Sequence, residues 1–177
     1  MRKSLIAIFA AILVAGPAAA AGYLKAEQQP GFVVGYSASN GQAAITEEVP
    51  SGETVDKWTR MITSQFFRGF ARASSPYAFL EGMQKSLASG CPGFKVSAIT
   101  TEPLAGQPAA RMRADCPLNP KTGLPETFWI IAIANQNDMH IRQVAFRKVP
   151  DAADTAWAER VLLAARWCGD TAATGGC

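Results

Sequence analysis

The chain has 177 residues, 49% hydrophobic and 18% charged, with a formal net charge of +3. Arg2 and Lys3 supply two of those charges, so the remainder is close to neutral and has no long run of either sign. This gives no footing for a nucleic-acid surface, and no segment beyond the N-terminus is apolar for the roughly 20 residues that a membrane helix needs.

Residues 1–21, MRKSLIAIFAAILVAGPAAAA, carry a short basic segment, an apolar run from Leu5 to Ala15, a Gly16-Pro17 break and a string of small residues. That is the three-part pattern of a cleaved signal peptide with an Ala-x-Ala site ending at Ala20 or Ala21. The mature chain, residues 22–177, is then a single domain, periplasmic or secreted, and long enough for a real core.

Segments 31–37 (GFVVGYS) and 43–49 (AAITEEV) read as two short strands. Asn40-Gly41 between them is a favoured hairpin dipeptide. Pro50-Ser51-Gly52 breaks the second strand, and Thr54 suits a helix N-cap. Val55, Trp58, Ile62, Phe66 and Phe70 then recur at helical spacing, which predicts a helix with Trp58 as its core anchor and Lys57, Thr59 and Thr63 on the solvated side. A second helix starts at Ser75-Pro76, buries Phe79, Leu80, Met83 and Leu87, and stops at Gly90.

Four strands follow, over 94–101, 109–116, 126–134 and 139–149. The third is apolar on both faces and should be central. The short links between them require antiparallel neighbours. A last helix begins at Asp151 or Asp154, buries Trp157, Val161 and Cys168 along one face and ends at Gly169. The order β-β-α-α-β-β-β-β-α predicts an α+β fold, an antiparallel sheet of about six strands with the helices on one face.

All four cysteines, Cys91, Cys116, Cys168 and Cys177, follow the signal segment, and an even count in an oxidising compartment reads as disulfides. Cys91 and Cys116 flank a turn at 102–108 almost symmetrically, so a hairpin there pairs them and leaves Cys168 with Cys177. There is no C-x-x-C spacing and only one histidine, His140, so neither a metal nor a cofactor is expected.

Catalytic patterns are missing too. No H-E-x-x-H, G-x-S-x-G or phosphate-binding glycine loop is present, and His140 lies in a predicted strand with Arg142 and Val144. Arg111 and Arg113 share one face of their strand, and with Arg142 nearby they would form a basic patch for an anionic ligand or partner. The expectation is a non-catalytic binding or accessory protein of the envelope that contacts a protein partner. A carrier of a small apolar ligand, in a pocket lined by Trp58, Phe66, Phe79 and Trp129, is the first alternative. The second is a hydrolase with Glu47 or Glu48 converging on Asp115 or Glu126. The sequence sets no oligomeric state.

Val49, Pro50, Gly52, Glu53, Thr54, Trp58, Thr59, Thr63 and Gln65 together resemble a signature, VPxGETxxxWTxxxTxQ, of small uncharacterised exported proteins of Gram-negative bacteria. Those proteins look similar in topology to the fold shared by PsbP, the extrinsic photosystem protein, and DcrB, an envelope protein. The resemblance covers mainly residues 30–70. It implies an antiparallel sheet with packed helices and a binding or assembly role, and it carries no catalytic residues.

Overall fold

The structure, a computed structural model, describes residues 22–169. The predicted signal segment, the last eight residues and Cys177 among them lie outside that range.

The first hairpin forms as predicted, from β2 (Phe32–Ser39) and β3 (Ala43–Pro50). Its turn sits one residue further along, through Gly41 and Gln42, and only Gly41 takes a positive φ, of 79°. Asn40 serves beside the turn, where its Oδ1 accepts from the Gln42 and Ala43 amides at 3.1 and 2.8 Å.

The helix predicted from Thr54 does not exist. Residues 51–59 form a compact loop, and β4 (Arg60–Phe67) then pairs with β3 on one side and with β9 (Met139–Phe146) on the other. Ile62, Phe66 and Phe70 fit a helical stripe, but Met61, Ile62 and Thr63 are all buried, as in an interior strand with both faces covered. Aromatic and β-branched residues at 62, 63, 66 and 67 favour that outcome once strands flank both sides.

The second predicted helix is present as α1 (Pro76–Gly90), with the Ser75 side chain accepting from the Ala78 amide. The four later strand segments follow, with one change. Residues 94–101 split into β5 (Lys95–Val96) and β6 (Thr100–Thr101), both laid on the edge of β7 (Ala109–Asn119). β8 (Leu124–Ala134) lies between β7 and β9 and is buried from Thr127 to Ala134, the interior place expected for it.

The last helix, α2 (Ala152–Leu163), opens with a capping box in which Asp151 and Asp154 satisfy each other's amides. It ends well before Cys168. The chain turns at Ala164 into β10 (Arg166–Cys168), which pairs with β1 (Tyr23–Lys25) in a separate two-stranded sheet. That pairing joins the two ends of the described chain, so no local pattern near Cys168 announces it.

The described residues thus form an α+β fold whose main sheet has eight strands rather than six, in the order β2-β3-β4-β9-β8-β7-β5 with β6 also on β7. All its pairings are antiparallel. The helices are not on one face. Leu80, Phe79, Met83 and Leu87 of α1 pack with Met112, Ala114, Phe128 and Ile130. Ala158, Val161 and Leu162 of α2 pack with Trp129, Ile131 and Val144. Phe128, Ile130 and Ala132 alternate with Trp129, Ile131 and Ile133, so the two helices cover opposite faces of β8. Each core burial of an Ile or Leu contributes about 2 kcal/mol.

The expected bond between Cys91 and Cys116 is present, with Cα atoms 5.9 Å apart. It closes the hairpin in which Lys95 faces Asp115 and Thr100 faces Arg111. Cys168 is disulfide-bonded as well.

Candidate functional site

The signature residues build the loop ahead of β4. Gly52 has φ 90°, a conformation that a side chain would strain. Glu53 folds back so that its carboxylate accepts from the Thr59 amide at 2.6 Å and from the Thr59 hydroxyl at 2.7 Å. Thr54 Oγ1 accepts from the Lys57 amide, a cap-like bond that closes a turn rather than opening a helix. Trp58 is buried as expected, with the Arg147 guanidinium 4.2 Å above its ring. Thr63, expected in solvent, is buried in β4. Glu53 and Thr59 hold each other, and Trp58 and Thr63 are buried, so the signature reads as architecture.

The three predicted arginines do share a face. Arg111 lies opposite Ile131, and Ile131 opposite Arg142. They do not form a patch, because buried Ile131 and α2 separate them. Arg111 is half-exposed and pairs with Glu102. Arg113 lies over Trp129 with its guanidinium 4.7 Å from the ring centre and bonds Asp115 with two nitrogens. Both line a cleft of about 390 Å³ against Thr155 and Glu159 of α2. Arg142 is only 3% exposed. Its Nε donates to the Val161 carbonyl at 3.2 Å and its Nη1 to Ser64 Oγ at 3.1 Å. A solvent-facing basic surface is therefore replaced by two anchored arginines and one buried one.

Beyond Arg142, on the same face, lies a cluster that sequence spacing does not reveal. Thr46, Ser64 and Arg142 stand in register across β3, β4 and β9, flanked by Glu48 on one side and by Phe66 and His140 on the other. With Leu24 and Ala26 at β1, they enclose a cleft of about 300 Å³. His140 is 7% exposed, and its ring is held between Phe66 at 5.1 Å and Trp167 at 5.3 Å. Its Nε2 is buried without a hydrogen-bond partner among the described residues. Burial pushes the His140 pKa down against the pull of Asp138. Burial raises the Glu48 carboxyl, opposed by Arg142, and lowers the Arg142 guanidinium, opposed by Glu48. Three perturbed groups in one cleft mark a place where charge has been taken out of water.

The other exposed feature is β2, an end strand of the sheet. Its sequence FVVGYSAS has no charge and no proline. Val33, Val34 and Tyr36 stand exposed at 41, 54 and 46%. The register slips at Gly35, where added Cβ bulk would meet Val55 and Val49 at 3.1 and 3.2 Å. Next to its end, Ala38, Ile45 and Phe67 line an apolar cavity of about 360 Å³.

No protein-family model and no curated protein matches the chain. Among solved structures it is similar to the Pseudomonas aeruginosa protein PA94, of unknown function, at 16% identity and a TM-score of 0.42, covering 68% of this chain and 76% of that one. It is also similar to the Saccharomyces cerevisiae Ran-binding protein Mog1p, at 10% identity and a TM-score of 0.45, covering 81% and 85%. A point mutant of Mog1 gives 11% and 0.45, covering 81% and 86%. Likeness at this level fixes neither family nor function.

The groups required by the two alternative functions do not converge. Trp58 and Phe79 belong to the core under α1, whereas Trp129 lies in the core under α2 and Phe66 shares its face, so the four cannot line one pocket. Glu47 and Glu48 on β3 are three strands from Glu126 and four from Asp115, roughly 14 and 19 Å at about 4.8 Å per strand. Glu126 accepts from Asn119, and Asp115 is held by Arg113 and Thr127.

Proposed function

We propose that this chain is an exported, non-catalytic accessory protein of the bacterial envelope that binds an extended, uncharged segment of a partner protein along β2. The observation that carries this reading is the bare edge strand. An eight-residue strand at a sheet end presents unpaired backbone donors and acceptors, and proteins that do not use such an edge normally protect it with charge or proline. β2 has neither, and its exposed Val33, Val34 and Tyr36 would flank an added strand on both faces. The bulge at Gly35 interrupts the ladder midway, which disfavours two copies pairing edge to edge and favours a segment with its own matching irregularity.

The envelope setting is supported by the N-terminal pattern of residues 1–21, by the resemblance of residues 49–65 to exported proteins, and by the Cys91–Cys116 bond, which persists in oxidising compartments.

The test is affinity capture from envelope extract with the oxidised chain, a Val34→Lys/Tyr36→Lys variant and an Arg111→Ala/Arg113→Ala variant as parallel baits. A single partner kept by the wild type and the arginine variant but lost with the lysines is expected. Loss with the arginine variant instead would move the contact to the cleft beside α2.

A further inference from the structure

We propose that the cleft between β1 and the β3–β4–β9 surface is a binding site for a small zwitterion with an α-amino-acid group, its carboxylate on Arg142 and its ammonium on Glu48. Arg142 is a buried cation that makes no ion pair among the described residues. A buried cation balanced only through space by Glu48, with no ion pair, remains costly, so a counter-ion from outside the chain has much to gain. The Val161 carbonyl and the Ser64 hydroxyl fix two edges of its guanidinium, which is thereby preorganised rather than free to swing.

Glu48 lies on the same cleft two residues along β3 from Thr46, in electrostatic reach of Arg142 but forming no ion pair with it. A simple anion would be repelled by Glu48 and a simple cation by Arg142. A ligand bearing both charges complements both walls. Leu24 and Phe66 supply an apolar wall for a side chain, and a cleft of about 300 Å³ sits at the small end of ligand sites. Buried polar atoms are nearly always hydrogen-bonded, and among the described residues His140 Nε2 is not. The ring lines this cleft, so a ligand polar atom would satisfy it.

His140 is the only histidine in the chain, so its ring protons give isolated NMR signals that report on the cleft. The full oxidised chain is titrated with L-leucine, and separately with acetate and methylamine. L-leucine should shift the His140 signals to saturation while the two half-ligands at equal concentration do not. Glu48→Gln and Arg142→Lys, checked for fold by their amide spectra, should each weaken binding about tenfold or more.

The proposal is overturned by the absence of any shift at about 10 mM, beyond ordinary small-ligand affinities. It is also overturned if acetate alone matches L-leucine, which would make this an anion site, or if Glu48→Gln binds like the wild type. None of these readouts depends on β2 or on a protein partner.

Discussion

Arg142 donates through Nε to the main-chain carbonyl of Val161 at 3.2 Å, so a side chain from the middle of the sheet caps the last turn of α2. Carbonyls in that turn have no partner within the helix, and a cation there also complements the helix dipole. Arg142→Ala removes the cap, the bond to Ser64 and buried volume together, and should cost about 3–4 kcal/mol in urea unfolding. Arg142→Met keeps the volume and should cost about 1–2 kcal/mol. Equal losses would mean that the hydrogen bonds, not packing, are what Arg142 supplies, and no loss in Arg142→Met would mean the reverse.

The bond between Cys91 and Cys116 spans 25 residues and ties the end of α1 to β7. The loop-entropy relation puts its contribution at about 3.5 kcal/mol. Cys91→Ser/Cys116→Ser should lower stability by that amount in thermal or urea unfolding. No change would mean that the β5–β7 hairpin is already closed in the unfolded chain.

The signature loop should fail as structure, not as a contact surface. Glu53→Ala removes acceptors for two Thr59 donors and should cost about 1 kcal/mol, near the low end because the bonds are exposed. Gly52→Ala forces a side chain onto a φ of 90° and should cost about 1–2 kcal/mol. Both variants should capture the same partner as the wild type once folded.

Acid should weaken the fold through His140. Burial holds its pKa below 6.5, with Asp138 opposing, so the unfolded chain takes up a proton that the native chain declines. Stability from this group is full above 6.5 and falls as the pH drops below it. Glu48 has the opposite sign. Burial raises its pKa above 4.5, with Arg142 opposing, so its contribution is present below 4.5 and is lost as the pH rises through the native value. Urea unfolding across this range should show His140→Asn flattening the loss below 6.5 and Glu48→Gln gaining stability at neutral pH.

The sequence was most legible where one residue type has one physical use. Ser75-Pro76 can hardly be read except as a helix start, and Asp151 with Asp154 likewise. The apolar run of β8 announced an interior strand, and the near-symmetry of Cys91 and Cys116 about residues 102–108 announced their bond. Residues 54–70 misled because Thr54 and Val55-Trp58-Ile62-Phe66 suit a helix locally, while the strands on either side of β4 are set by residues 43–48 and 139–146. That error hid the cleft as well. Only when β4 is a strand do Ser64 and Phe66 face the same way as Thr46, Glu48, His140 and Arg142. The three-layer arrangement was equally out of reach, because the pattern of α2 does not say which face of the sheet it meets.

The central claim is that β2 is the contact edge, and site-specific photo-crosslinking in the native envelope tests it most directly. A photoreactive residue replaces Tyr36 on β2 or, as a control, Tyr77 on α1; the two residues are equally exposed at 46%. A discrete crosslinked protein from position 36, absent from position 77 and abolished by Val34→Lys, is the predicted result. Crosslinks from position 77 alone, or a position-36 product of twice the chain's own mass, would contradict the account, the latter by making β2 a self-association edge.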